Sequence, residues 1–191
     1  MRHPTLLDRK QAAVLVVDVQ EKLLPLIPQT ASLILNIRFM LEVARLVQLP
    51  VQATEQYPKG LGPTTGELVP LLPPRKEKLD FSCCGVPEVV AQFRDAQRRQ
   101  IVVVGIETHV CVLQTVLDLL AHSFQVHVPV DAVAARFELD HRVALERMRT
   151  AGAILSSVES VGFELLQRAG TAEFKEFSRL VQERAHALSV C

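Results

Sequence analysis

The sequence predicts an α/β fold in which a parallel sheet carries helices on both faces. Three observations support this. Short, continuous apolar runs rich in β-branched residues (AVLVV, IVVV) recur along the chain, as expected of strands buried on both faces. Stretches with apolar residues at helical spacing separate them, so strand and helix alternate from end to end. The 191 residues contain no repeat, linker or low-complexity tract, which fits a single domain over 1–191.

Taken in order, residues 13–17 form the first strand. Residues 30–47 form a helix with Leu33, Ile34, Ile37, Leu41, Ala44 and Val47 on one face. Residues 50–54 are the second strand, followed by the loop YPKGLGPTTGE. Residues 76–81 are a third, less apolar strand. The next helix opens at Pro87, whose fixed φ and missing N–H suit a first helical position. The fourth strand spans 101–104, and the helix after it places Val112, Leu113, Val116, Leu117 and Leu120 on its apolar side. The fifth strand is 125–130, then come a helix over 138–149 and a sixth strand at 153–155. Ser156-x-x-Glu159 reads as a capping box for the following helix. Gly170 reads as a stop and Thr171 as the cap of a last helix, TAEFKEFSRLVQERA.

Composition narrows the partners. Lys+Arg and Asp+Glu both number 21 and the pI is near 7.0, so no electrostatic case exists for nucleic acid or an anionic membrane. A small-molecule substrate is the expectation. With 49% hydrophobic residues and no net charge, copies repel one another little, which is compatible with a homo-oligomer. Cys83, Cys84, Cys111 and Cys191 form no CxxC pair, and adjacent cysteines bond with strain, so a reducing compartment fits. The first twenty residues show no cleavage site and no long apolar span, and a cytoplasmic protein is expected.

In parallel sheets, ligands sit beyond the carboxyl ends of the strands. The residues to consider are therefore Asp18, 54–57, 78–82, 105–111 and Asp131. Within GIETHVC, Cys111 follows a strand and opens a helix, where unpaired N–H groups and the helix dipole favour a thiolate. Singly, Asp18 reads as a cap, Lys78 as a solvated charge and Cys111 as a small buried hydrophobe. Together they offer an acid, an ammonium and a thiol at three strand ends, the equipment of nucleophilic catalysis. Other motifs fail. Gly60-x-Gly62-xxx-Gly66 lacks the dinucleotide spacing and contains Pro63, no G-x-S-x-G elbow is present, and His109 with Cys111 lacks a second metal-ligand pair. His122, His127 and His141 read as surface or packing residues.

VVDVQ, K-L-D-F-S and GIETHVCV, in this order, resemble the isochorismatase-like cysteine hydrolase family, within it the isochorismatase domain-containing group, over about residues 10 to 185. YPKGLGPT resembles that group's loop after the second strand. The resemblance implies a three-layer fold with a six-stranded parallel sheet of order 3-2-1-4-5-6, and a catalytic triad of Asp18, Lys78 and Cys111. It further implies a cis peptide between Ile106 and Glu107 that aims the backbone N–H groups of Glu107 and Cys111 into one oxyanion hole. Related nicotinamidases bind a metal through an Asp-x-His pair after the second strand. Here Thr54-Glu55-Gln56 stands in that place, so neither metal nor cofactor is expected. Cys111 favours C–N hydrolysis through a thioester-type intermediate. A catalytically idle binding member of the fold and a vinyl ether hydrolase are the alternatives. Tyr57, Phe81 and His109 flank strand ends and are the candidate pocket walls, while Cys84 stands where many relatives carry an aromatic.

Overall fold

Strand β1 (Ala12–Val17) shows why the apolar runs are continuous. It is buried throughout, with Ala12, Val14 and Val16 in one apolar layer and Ala13, Leu15 and Val17 in the other. Successive strand side chains point to opposite faces, so a strand covered twice must be apolar at every position. The computed structural model describes residues 2–190; Cys191 lies outside them.

Around β1 the sheet is entirely parallel. It contains β2 (Val51–Gln56), β3 (Lys76–Lys78), β4 (Gln100–Ile106), β5 (Gln125–Pro129), β6 (Val133–Ala134) and β7 (Ile154–Ser156). The path is β3-β2-β1-β4-β5-β7, with β6 added beside the end of β4. The principal strands, counted along the chain, thus follow the expected order 3-2-1-4-5-6, and β6 is the addition.

Helices α1 (Thr30–Leu46), α6 (Val158–Leu166) and α7 (Ala172–Ser189) cover one face, burying Ile37, Met40, Val161, Leu165 and Phe177. Helices α3 (Pro87–Asp95), α4 (Leu113–Ala121) and α5 (Glu138–Thr150) cover the other with Phe93, Val116, Leu119 and Met148. Each such side chain contributes roughly 1.5–3 kcal/mol by leaving water. Among the described residues no helix is long and apolar enough to cross a membrane.

Several local expectations shift. The third strand ends at Lys78 rather than residue 81, because the chain bends back to bring the Asp80 and Phe81 carbonyls onto the Lys78 ammonium. The loop after β2 contains a short helix, α2 (Pro58–Leu61), with proline in its first turn. The capping box moves by one residue. Ser156 ends β7, Ser157 accepts from the Ser160 N–H, and Glu159 pairs with Arg184. Gly170 at φ +82° and the Thr171 cap, which accepts from the Phe174 N–H at 3.0 Å, fall where expected. Of the histidines read as surface or packing residues, His122 is exposed and His127 is fully buried, while half-buried His141 hydrogen-bonds Thr108 at 2.9 Å.

Candidate active site

The carboxyl ends of β1 to β4 converge on one buried polar cluster. Asp18 follows β1 in the left-handed region (φ 51°), which aspartate tolerates better than most residues. Its carboxylate has no exposed surface. Thr54, near the end of β2, donates its hydroxyl to Asp18 Oδ1 at 2.7 Å. Lys78, the last residue of β3, places Nζ 2.6 Å from Asp18 Oδ2, and its side chain too is fully buried. The two side chains thus form a fully buried ion pair.

Lys78 Nζ has further acceptors in Gln56 Oε1 (2.6 Å), Phe81 O (2.9 Å) and Asp80 O (3.3 Å). Burial alone would push its pKa down. The Asp18 carboxylate beside it outweighs burial and the net shift is upward, so the ammonium stays charged.

Cys111 sits in a π-helical turn, Thr108–Val112, between β4 and α4. The Ile106–Glu107 peptide just before it is cis. The Glu107 carbonyl accepts from the Val110 and Val112 N–H groups at 3.0 and 3.2 Å, while its carboxylate Oε2 receives the Arg136 backbone N–H and Nε, each at 3.1 Å. The turn is thereby fixed from inside and from the segment entering α5.

The thiol is 6% exposed at the residue level and lies next to Asp18. Burial pushes its pKa up, Asp18 pushes it further, and Lys78 offsets only part. This corrects the expectation of a ready thiolate: at rest the sulfur keeps its proton. Burial likewise pushes the Cys83 thiol up to about 12, and Cys83 Sγ lies 3.4 Å from Thr54 Oγ1.

The structure therefore brings Asp18, Lys78 and Cys111 into one cluster, joined by Thr54, Gln56 and Cys83. Tyr57 and Phe81 stand half-exposed beside β2 and β3, the Tyr57 ring resting on Gly60, where a Cβ would lie 2.4 Å from it. His109, in the same turn as Cys111, places Nε2 3.8 Å from Asp140 in α5. A cavity of about 330 Å³ next to α1 and α5, lined by Asn36, Asp131, Glu138 and His141 among others, includes none of the three clustered residues. The side chains at the expected metal positions are engaged elsewhere: Thr54 bonds Asp18, Glu55 accepts from Thr64 N and Oγ1, and Gln56 accepts from Lys78. Among the described residues no group of three or more His, Cys, Asp or Glu is placed to hold a metal.

Isochorismatase domain-containing protein 2 of Bos taurus is 46% identical over 147 residues, 75% of this chain and 70% of that protein. Among solved structures, the MAR1 ribonuclease of Caenorhabditis elegans superposes with a TM-score of 0.88 at 37% identity, covering 93% of this chain and 92% of that one. Two YcaC proteins are also similar. The Escherichia coli one, described as an octameric hydrolase of unknown specificity, gives a TM-score of 0.87 at 25% identity over 100% of this chain and 98% of that one. The Pseudomonas aeruginosa one, solved with hexane-2,5-diol and covalent acrylamide, gives 0.84 at 27% over 96% and 98%. The isochorismatase domain description matches residues 12–160, and with this span and these identities the chain belongs to the isochorismatase domain family.

Proposed function

We propose that the protein is a metal-independent cysteine hydrolase that cleaves a small amide or related carbonyl compound through a thioester intermediate. The carrying observation is the Asp18 carboxylate, buried and ion-paired with Lys78 at 2.6 Å, beside a thiol whose pKa burial and that carboxylate push up. Such a pair is arranged for proton transfer during attack rather than for a preformed thiolate.

Asp18 takes the Cys111 proton as the sulfur bonds to the substrate carbonyl carbon. The carbonyl oxygen becomes an oxyanion, which the N–H groups of Glu107 and Cys111 receive. As the C–N bond breaks, Asp18 returns the proton to the leaving amine, and the acyl group stays on sulfur. Water then gives a proton to Asp18 and its oxygen attacks the thioester carbon. The carboxylic acid leaves, and the sulfur recovers the proton. Lys78 stays charged throughout and steadies the negative charge passing between Asp18 and Cys111.

The covalent acrylamide in the P. aeruginosa relative supports a reactive nucleophile in this fold, and the bonds already made by residues 54–56 support the metal-independent reading. The formal charge of zero supports a small substrate rather than a polyanion, which departs from the name of the C. elegans relative. Exposed Phe137, Leu139 and Val143 around the start of α5, together with the octameric relative, support a homo-oligomer. Three free cysteines among the described residues support a reducing, cytoplasmic setting.

The test is a panel of small amides and esters, read by turnover and by intact mass of wild type and Cys111→Ala. A single acyl adduct that the variant lacks is expected. No adduct, no turnover and no alkylation of Cys111 would sink the reading, and pyruvate release from isochorismate would reassign it to vinyl ether cleavage.

A further inference from the structure

Helix α5 begins without an anchor in the core. Its buried residues are Ala144 and Met148, and the stretch before them, residues 136–143, buries no side chain. That stretch grips three consecutive residues of the Cys111 turn. Arg136 donates its N–H and Nε to Glu107 Oε2, each at 3.1 Å, His141 Nδ1 lies 2.9 Å from Thr108 Oγ1, and Asp140 Oδ2 lies 3.8 Å from His109 Nε2. The Arg136 and Asp140 contacts are partly open to water, where such pairs hold little by themselves. What the stretch turns outward is apolar: Phe137, Leu139 and Val143 are all exposed.

Charge indicates what covers it. α5 carries Glu138 and Asp140 in its first turn and Arg147 and Arg149 in its last, with Arg142 and Glu146 between them. At 100° per residue, Glu138, Arg142 and Arg149 run along one edge of the outward stripe, Asp140 and Arg147 along the other, and Leu139 and Val143 lie between. A second α5 laid antiparallel, with the two-fold axis between Val143 and Ala144, brings like edges together. Glu138 then meets the partner's Arg149, Asp140 the partner's Arg147 and Arg142 the partner's Glu146, and symmetry repeats each pair. The stripe is complementary to itself.

We infer that two copies pair antiparallel along α5, and that this pairing steadies the Cys111 turn by clamping the segment that grips it. The inference rests on the homo-oligomeric cysteine hydrolase reading, to which it adds the surface and its control of the site. Covering Phe137, Leu139 and Val143 takes water away from the Arg136 and Asp140 contacts, which strengthen as the local dielectric falls. A lone copy keeps the triad but holds its turn less firmly.

The test is sedimentation velocity over a concentration series, together with acetylation of Cys111 by p-nitrophenyl acetate read by intact mass. Wild type, Glu138→Arg, Arg149→Glu and the double variant are compared. Each single reversal should weaken self-association about tenfold and slow acetylation at concentrations where wild type is paired, and the double variant should regain both. Both reversals oppose the dipole of α5, so an effect confined to that helix would be worst in the double variant, which overturns the pairing. A wild type that stays single, or single variants that associate as wild type does, overturns it too. Acetylation per chain that is indifferent to dissociation overturns the control of the site and leaves the surface standing. A wild type that takes no acetyl group on Cys111 at any concentration removes the hydrolase reading and that control with it, while sedimentation still judges the pairing.

Discussion

Acid should destabilise this protein through one side chain, His127. On β5 it pairs in register with Val102 and Ile154, and it is wholly buried. Its neighbours Val126 and Val128 face the α3–α5 layer, so the imidazole faces the α1–α7 layer. Nε2 lies 3.2 Å from Gln125 Oε1, and Nδ1 has no partner among the described residues. Burial therefore lowers its pKa from 6.5 to about 4. The unfolded chain takes up the proton first as pH falls, so the stability contribution is complete above 6.5 and is lost on descending toward 4. Each pH unit costs about 1.4 kcal/mol, which amounts to about 2.5 kcal/mol at pH 4.5. Urea unfolding of wild type and His127→Gln at pH 7.5 and 4.5 measures this. Glutamine keeps a donor toward Gln125 and cannot titrate, and protonation of the carboxylates is common to both proteins and cancels. Wild type should lose about 2.5 kcal/mol more than the variant. Equal losses would refute the claim that the fold keeps this imidazole neutral.

Three further outcomes follow from the site. Thr54→Val removes the donor to Asp18 Oδ1 and should lower stability by about 1–3 kcal/mol in urea titrations, with slower acetylation of Cys111. Arg136→Gln removes the guanidinium from the Glu107 carboxylate and leaves it the backbone N–H of residue 136. Because the guanidinium is 44% exposed, stability should change by less than about 1 kcal/mol while acetylation slows, so comparing the two measurements separates positioning from folding. Gly105→Ala would put a Cβ 2.1 Å from Val17 O at φ +122°, so soluble yield and melting temperature should collapse, corresponding to a loss above about 4 kcal/mol.

The parallel sheet covered on both faces was legible because β1 and β4, buried on both sides, cannot hide their continuous apolar runs, whereas the strand order came only with the family resemblance. β6 was not, since Val133–Ala134 is a pair of residues with no period of its own and is strand only by virtue of lying beside Gly105 and Ile106. Asp18, Lys78 and Cys111 could be named from motif order, but their surroundings could not. Gln56 drew notice only as a residue that is no metal ligand, and its bond to Lys78 depends on register across two strands. Arg136 reaches Glu107 from 29 positions away, with no pattern linking them. The charge state of the sulfur was misjudged for a physical reason: a strand-to-helix turn advertises exposed N–H groups, whereas burial and a neighbouring carboxylate become visible only once the chain is folded.

Gly105 stands opposite Val17 in the pairing of β4 with β1, at a contact too close for any side chain. The spacing of the two chain segments that carry Asp18 and the Cys111 turn is thus dictated by main chain against main chain. How the interior is filled on either side has little leverage on that gap. Heat-hardening by exchange of interior aliphatics, in either layer, should accordingly leave the reactive spacing inherited unchanged.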